Sequence, residues 1–438
     1  MSSPAPASNV PPSRAYAWYV VTLSMIAYIF SFIDRQILAL LIGPIRTDLE
    51  ISDTQFSLLH GLAFSLFYAT MGLPIARLAD RHSRPLIVSV GIFLWSLATA
   101  ATGLGKNFTH IFLARMGVGV GEAALSPAAY SMIADLFPKE SLGRALAVYS
   151  IGSFIGGGLA YLIGGAVVGL VGETGSVALP LAGEVRAWQV VFFAVGLPGV
   201  LLAVLFGLSV RDPSRHGPAS KSASIAEVWM FVKSNRAFFI AHYGGFTLCA
   251  LALFGLMSWT PAYLTRIHHL TTAETGVILG VTLLLSNVGG VLASGFLTDH
   301  FVRRGRKDAS MRAGMIGAAF LAPAIALFSL SPNLTIAVAM IAIAFFFASF
   351  PLATSAAAMQ VVSPPDMRAQ ISAMFLFLNS IFGLAVGGTL IAMMTDYVFK
   401  DDDMVGVSVS LIGGAAAVGA ALLLRSGLKP FAALAASK

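Results

Sequence analysis

Charge is scarce in this sequence of 438 residues: Asp, Glu, Lys and Arg make up only 11%, while 57% of residues are hydrophobic. Soluble domains carry roughly 25% charged residues. A chain this poor in charge cannot cover itself for water, so lipid must cover most of its surface. Cysteine occurs once, as Cys249, which excludes an internal disulfide and reads as a small packing residue. No G-x-x-x-x-G-K-[ST] is present and no loop could house a nucleotide-binding domain, which excludes a primary pump. H-E-x-x-H is also absent and the eight histidines do not cluster, so neither a membrane metalloprotease nor a metal site is expected. The net charge of +7 does not point to nucleic acid, because the basic residues are dispersed among short loops.

What the chain has in abundance is apolar runs of roughly 20 residues or more, the length that crosses a bilayer core. They lie near 16–43, 54–78, 86–105, 108–136, 142–171 and 187–210, then near 237–265, 274–298, 310–330, 334–361, 369–396 and 405–425. Backbone in lipid must satisfy its own hydrogen bonds, and β-barrel strands would be shorter and alternating, so all twelve are predicted helices. Pro44, Pro85, Pro138, Pro332 and the pair Pro364-Pro365 mark the joints. The expected class is an all-α polytopic membrane protein. Residues 1–15, MSSPAPASNVPPSRA, are polar and proline-rich without a signal peptide's basic start, and read as a disordered cytoplasmic tail.

Lysine and arginine set the orientation. With the amino terminus inside, the cytoplasmic segments hold 20 of the 27, and the outer segments hold only Arg46, Lys106, Arg186, Arg266 and Lys400. That bias places both termini in the cytoplasm. The longest cytoplasmic connection, 211–236, separates a first half, 16–210, from a second, 237–428, before a tail at 429–438. It opens as a Pro/Ser linker, and Ile225–Val232 has the spacing of a short amphipathic helix along the membrane surface.

The halves repeat each other. A-R-L-A-D (76–80) ends the second span and G-F-L-T-D (295–299) the eighth, with Asp80 and Asp299 219 residues apart. Pro138…Arg144 is echoed by Pro364…Arg368, with the arginines 224 apart. A parallel repeat of six spans suits a transporter that rocks one half against the other. A channel or receptor would not account for it.

Charge inside a span is costly and kept for function or pairing. Four such residues occur, all in the first half: Asp34, Arg35, Arg115 and Glu122. Arg115 and Glu122 are two helical turns apart and share a face. Asp34 and Arg115 lie at similar depths, roughly 10–14 Å from the outer surface at 1.5 Å per residue, so they could pair across spans one and four. Glu122 is deeper, near the midplane. Carboxylates that alternate between desolvation and an arginine can load and release a proton, which makes Asp34 and Glu122 the candidate coupling pair. Arg115 is a fixed cation able to hold an anionic headgroup, and Arg35 either joins it or neutralises its neighbour. A structural salt bridge is the plainer reading.

Asp80 and Asp299 close helices at the cytoplasmic face, where Arg81, Arg84, Arg144 and Arg368 can pair with them and latch the inner side. The alternative is positive-inside charge with capping acids. His60, Tyr68, Tyr130, Tyr149, His242, Asn287 and Asn379 are candidates to line a cavity, or else satisfied interhelical hydrogen bonds. Glycines at 152–158, 164 and 165 permit close helix contact in the fifth span.

G-L-P-I-A-R-L-A-D-R-H-S-R (72–84) resembles the signature of major facilitator transporters between their second and third spans, with Ala76 and Ser83 where glycine is usual. R-M-G-V-G-V-G-E-A (115–123) resembles that superfamily's arginine motif. With S-F-I-D-R-Q (31–36) and G-E-A-A-L-S-P-A (121–128), the chain is similar to the Spinster subfamily in particular. The resemblance implies proton-coupled alternating access with no cofactor, and a lysolipid-like or sphingoid-phosphate-like substrate. A drug/proton antiporter or an organic-anion symporter is the alternative. The first would favour a proline beside the glycines of the fifth span, where none stands. The expected setting is a bacterial inner membrane, with a monomer whose partners are the bilayer, protons and a small anionic amphiphile.

Overall fold

The computed structural model describes residues 13–172, 175–179, 183–214, 223–364 and 366–436. The side chains of Leu73, Asp80, Lys139, Glu140, Leu179 and Ala369 lie outside that description, as does the expected tail up to residue 12. Helix formation follows the apolar runs, and polar residues cap their starts. The Ser13 hydroxyl accepts the Tyr16 amide at the head of the first span, Arg14–Leu40. Thr271 and Glu274 form a reciprocal capping box at the eighth, Thr272–Arg303.

Eleven helical segments of the described residues are long and apolar enough to cross a membrane. The fourth expected span, 108–136, is two helices, Phe108–Glu122 and Leu125–Leu136, which meet at Ala123 and Ala124. Pro127 explains the break. Its ring has no N–H to offer the Ala123 carbonyl and crowds the residue four before it. The tenth span, Leu334–Val362, is interrupted at Ser349 just before Pro351. Pro127 and Pro351 are 224 residues apart, the same offset as Arg144 and Arg368, so the repeat extends to the broken helices.

Each half has its own packing. The first span, Arg14–Leu40, packs along the fifth, Lys139–Val171, and the third, Arg84–Thr102, along the sixth, Ala187–Ser209. In the second half the ninth span, Ala309–Ser329, packs along the twelfth, which reaches Ala436. The fifth and eighth spans cross between the halves. A methyl group built on Gly276 would lie 2.5 Å from the Tyr161 carbonyl oxygen and 2.8 Å from the Gly165 Cα, so only glycines allow this approach.

Three details go beyond the sequence-based expectation. The tail at 429–438 is helical as far as Ala436, because Phe431 is buried and stacks on Phe238 at 5.6 Å. The outer connection before the sixth span contains a two-stranded antiparallel hairpin, Ser176–Leu179 with Gly183–Arg186, in an otherwise helical chain. The surface helix predicted for 225–232 runs from Ile225 to Ser234.

Candidate functional site

The four intramembrane charges converge, but not in the pair that depth allowed. Glu122 Oε2 accepts from Arg35 Nε at 2.6 Å and from Ser31 Oγ at 2.7 Å. Arg115 does not make that ion pair with the Asp34 carboxylate. Its Nη1 donates to the Asp34 backbone oxygen at 3.0 Å, while Asp34 Oδ2 accepts from Thr99 Oγ1 of the third span at 3.0 Å. Helix azimuth is the reason. Asp34 and Arg35 are consecutive and therefore about 100° apart around the first span, so equal depth does not make equal facing. Arg35 and Ser31 are one turn apart and share the face that meets Glu122.

Arg35 is wrapped by aromatic rings. Its guanidinium carbon lies 4.9 Å from the Phe32 ring centroid, 4.8 Å from that of Phe64 and 4.7 Å from that of Tyr68. The second and fourth spans approach closely enough for this because position 119 is glycine: a methyl there would lie 2.5 Å from the Phe64 carbonyl oxygen. Tyr28 continues the array, stacking on Tyr149 at 4.7 Å, and Tyr130 meets Tyr149 edge-on at 5.3 Å. Several polar atoms of the cluster are left over. Arg115 Nε and Nη2, Asp34 Oδ1 and Glu122 Oε1 are buried without a hydrogen-bond partner among the described residues. A buried site with two free guanidinium donors and two free carboxylate oxygens can bind an anion or shift a proton.

Other predicted residues fall in several places. His60 Nδ1 lies 3.1 Å from Ser258 Oγ, a contact between the halves. Asn287 accepts from Ser349 within the second half, and His242 bonds the Ser355 carbonyl there, so both are interhelical fastenings. Asn379 begins a π-helical segment, Asn379–Val386, and its Oδ1 has no hydrogen-bond partner among the described residues. Among the loop residues, Arg81, Arg144 and Asp299 are exposed, and Arg368 donates to the Gln360 carbonyl in its own half at 3.2 Å. Arg84 departs from the expected latch. It is 2% exposed and joins Asp135, Asp212 at 2.7 Å, Ser131 and the Pro213 carbonyl, all on the first half or the connection that leaves it. It staples the inner ends of the third, fourth and sixth spans.

Among the described residues, several side-chain bonds between the halves gather at the end of the bundle where Asp53, Arg266 and Asp402 lie. Asp53 is buried and takes both guanidinium nitrogens of Arg266, at 2.6 and 2.7 Å, and Arg46 at 3.0 Å. Arg46 also holds Asp402 at 2.7 Å, and Asp396 accepts the Thr54 amide at 2.7 Å. Deeper in, Ser57 meets Thr389 at 3.2 Å and His60 meets Ser258. This ladder ties the two halves together from the Asp53 end of the second span down to His60. Sequence reasoning assigned it no role. Arg46 and Arg266 appeared only as outside charges, and their acidic partners are up to 356 residues away.

The fold is that of known transporters. The chain is 29% identical to the "MFS-type efflux pump" of Mycolicibacterium smegmatis, covering 93% of this chain and 89% of that protein. It is 28% identical to the "Probable L-galactonate transporter" of Escherichia coli, covering 65% of this chain and 62% of that one. A solved bacterial homolog of the human lysosomal transporter Spinster, in an inward-facing and occupied conformation, superposes with a TM-score of 0.78 at 27% identity, covering 97% and 98% of the two chains. The pattern of the Major Facilitator Superfamily matches residues 24–388, and the chain belongs to that superfamily as a transporter resembling the Spinster proteins.

Proposed function

We propose that this transporter carries an amphipathic anion by alternating access, driven by protons exchanged at Asp34 and Glu122. The carrying observation is Arg115, which is 1% exposed and keeps two guanidinium donors unpartnered beside two carboxylates. A fork of this kind suits a phosphate or carboxylate headgroup, and a buried cation with free donors is expensive unless a ligand completes it. Arg35, held by Glu122 and three rings, is the second cation of the site. Protonation of Glu122 frees it to meet the substrate, so proton and anion are coupled through one side chain. Tyr68, Tyr130, His60 and Asn379 supply the polar and aromatic surroundings. The second half brings no mid-span charge, which suits an acyl chain whose buried methylenes contribute roughly 0.8 kcal/mol each. Breaking the outer ladder opens the route to the other side, with Asp80 and Asp299 then latching the cytoplasmic face.

A small organic anion is the second reading. The free donors of Arg115 would take the carboxylate of a sugar acid equally well, which is the class named for the Escherichia coli relative. A cationic drug fits less well, since Arg115 would repel it.

Flux into proteoliposomes, with and without a pH gradient, tests the proposal. Matched phosphorylated and dephosphorylated lysolipids and sphingoid bases of increasing chain length are the substrates. Uptake that requires the phosphate, strengthens with chain length and responds to the gradient is expected. Indifference to chain length, with transport of hexuronates or aldonates, would replace the lipid by a sugar acid.

A further inference from the structure

The helix Ile225–Ser234, in the connection between the halves, buries one apolar edge and leaves another open. One side meets protein: Val228 is buried and Phe231 and Val232 pack with it against Phe238 and Phe239. The other side meets nothing in the chain. Ile225, Trp229 and Met230 are 84%, 60% and 59% exposed and spread over an open arc of about 140°, with exposed Lys233 inside the same arc. A helix between protein and water turns mainly polar residues outward, whereas here three large apolar side chains share the open arc with Lys233. It is the pattern of a helix between protein and a second apolar medium.

We propose that this helix docks on the cytoplasmic leaflet and reads its negative charge, with anionic phospholipid as the partner. Three features of the chain favour lipid over another protein. The helix is followed at once by Arg236, where the seventh span enters the membrane, so its outer face continues the lipid-facing belt. Lys233 and Arg236 are exposed at that end, placed for phosphate headgroups. Tryptophan is the side chain suited to the boundary, with an apolar body and one N–H for the headgroup layer.

The helix is also tied to the other end of its half. The Ala223 amide donates to the Asp366 carbonyl at 3.2 Å, and Gln370 Nε2 donates to the Ala223 carbonyl at 2.6 Å. Residue 370 starts the eleventh span, so a docked helix holds the inner ends of the seventh and eleventh spans to the leaflet together. The capping box of Ser224 and Glu227 keeps the first turn intact, and the Ser224 amide and hydroxyl hold the Glu227 carboxyl below its ordinary range.

Tryptophan fluorescence of the full chain in nanodiscs tests this, with Trp229→Phe isolating the one indole from the other four. Lipids brominated near the headgroup should quench most of the Trp229 emission, and aqueous iodide should quench little. Both effects should strengthen from phosphatidylcholine to phosphatidylglycerol, and that difference should vanish in Lys233→Ala/Arg236→Ala. Free quenching by iodide in every lipid would put the face in water and overturn the proposal. Equal protection in both lipids would overturn the charge reading. Protection that appears only when two copies share a disc would assign the face to a second copy instead.

Discussion

Glu122 of the fourth span and Arg35 of the first stand 2.6 Å apart, with Glu122 fully buried and the Arg35 guanidinium enclosed by Phe32, Phe64 and Tyr68. Removing one partner of a buried pair leaves an uncompensated charge and costs about 3–5 kcal/mol. Glu122→Ala should therefore lower stability by that order, while Glu122→Gln keeps an acceptor for Arg35 and stays folded. Thermal melts of both in detergent, set against the wild type, measure the difference.

Coupling gives a separate expectation. Glu122→Gln and Asp34→Asn each remove a titratable carboxyl, so gradient-driven accumulation should be lost while substrate exchange continues. Flux with the same substrate in both modes makes the comparison. Wild-type pH dependence in either variant would take the proton role from that residue.

Arg115→Lys should weaken substrate binding about tenfold or more, since losing a hydrogen bond between charged groups costs about 1.5–3 kcal/mol. A point charge cannot reproduce the planar fork. Binding titration with a phosphorylated amphiphile reads this directly, and unchanged affinity would place the headgroup elsewhere.

The outer ladder predicts a change of state. Asp53→Asn removes the charge that Arg266 grips from the opposite half, and should populate a conformation open to the outside. Spin labels on the outer ends of the second and seventh spans should report a longer distance. Exchanging the charges, with Asp53→Arg and Arg266→Asp together, should restore part of the closed population. A distance distribution unaltered in Asp53→Asn would make the ladder a passive contact.

Asp299 and Arg84 should separate latch from staple. Asp299→Asn touches an exposed residue and should shift conformational populations toward inward-facing with little loss of stability. Arg84→Met breaks buried pairs with Asp135 and Asp212 and should cost about 3–5 kcal/mol whatever the state. Melting curves and spin-label distances on the two variants distinguish these outcomes.

The spans and the half-chain repeat were legible in the sequence because each is a property of consecutive residues. A bilayer demands about 20 apolar residues at a time, and the charge that flanks each run is counted along the chain. The four intramembrane charges could be found the same way, since any charge within such a run stands out. Which of them meet was decided only by tertiary structure. Depth follows from position in the sequence, but facing depends on how each helix is rolled against its neighbours, and this turned Arg35 rather than Arg115 toward a carboxylate. The broken fourth span was marked by Pro127, a local signal that hydropathy averages away. The ladder of Asp53, Arg266, Arg46 and Asp402 had no local signal. Its members are ordinary outer-loop charges until the two halves close, and only that closure makes them partners.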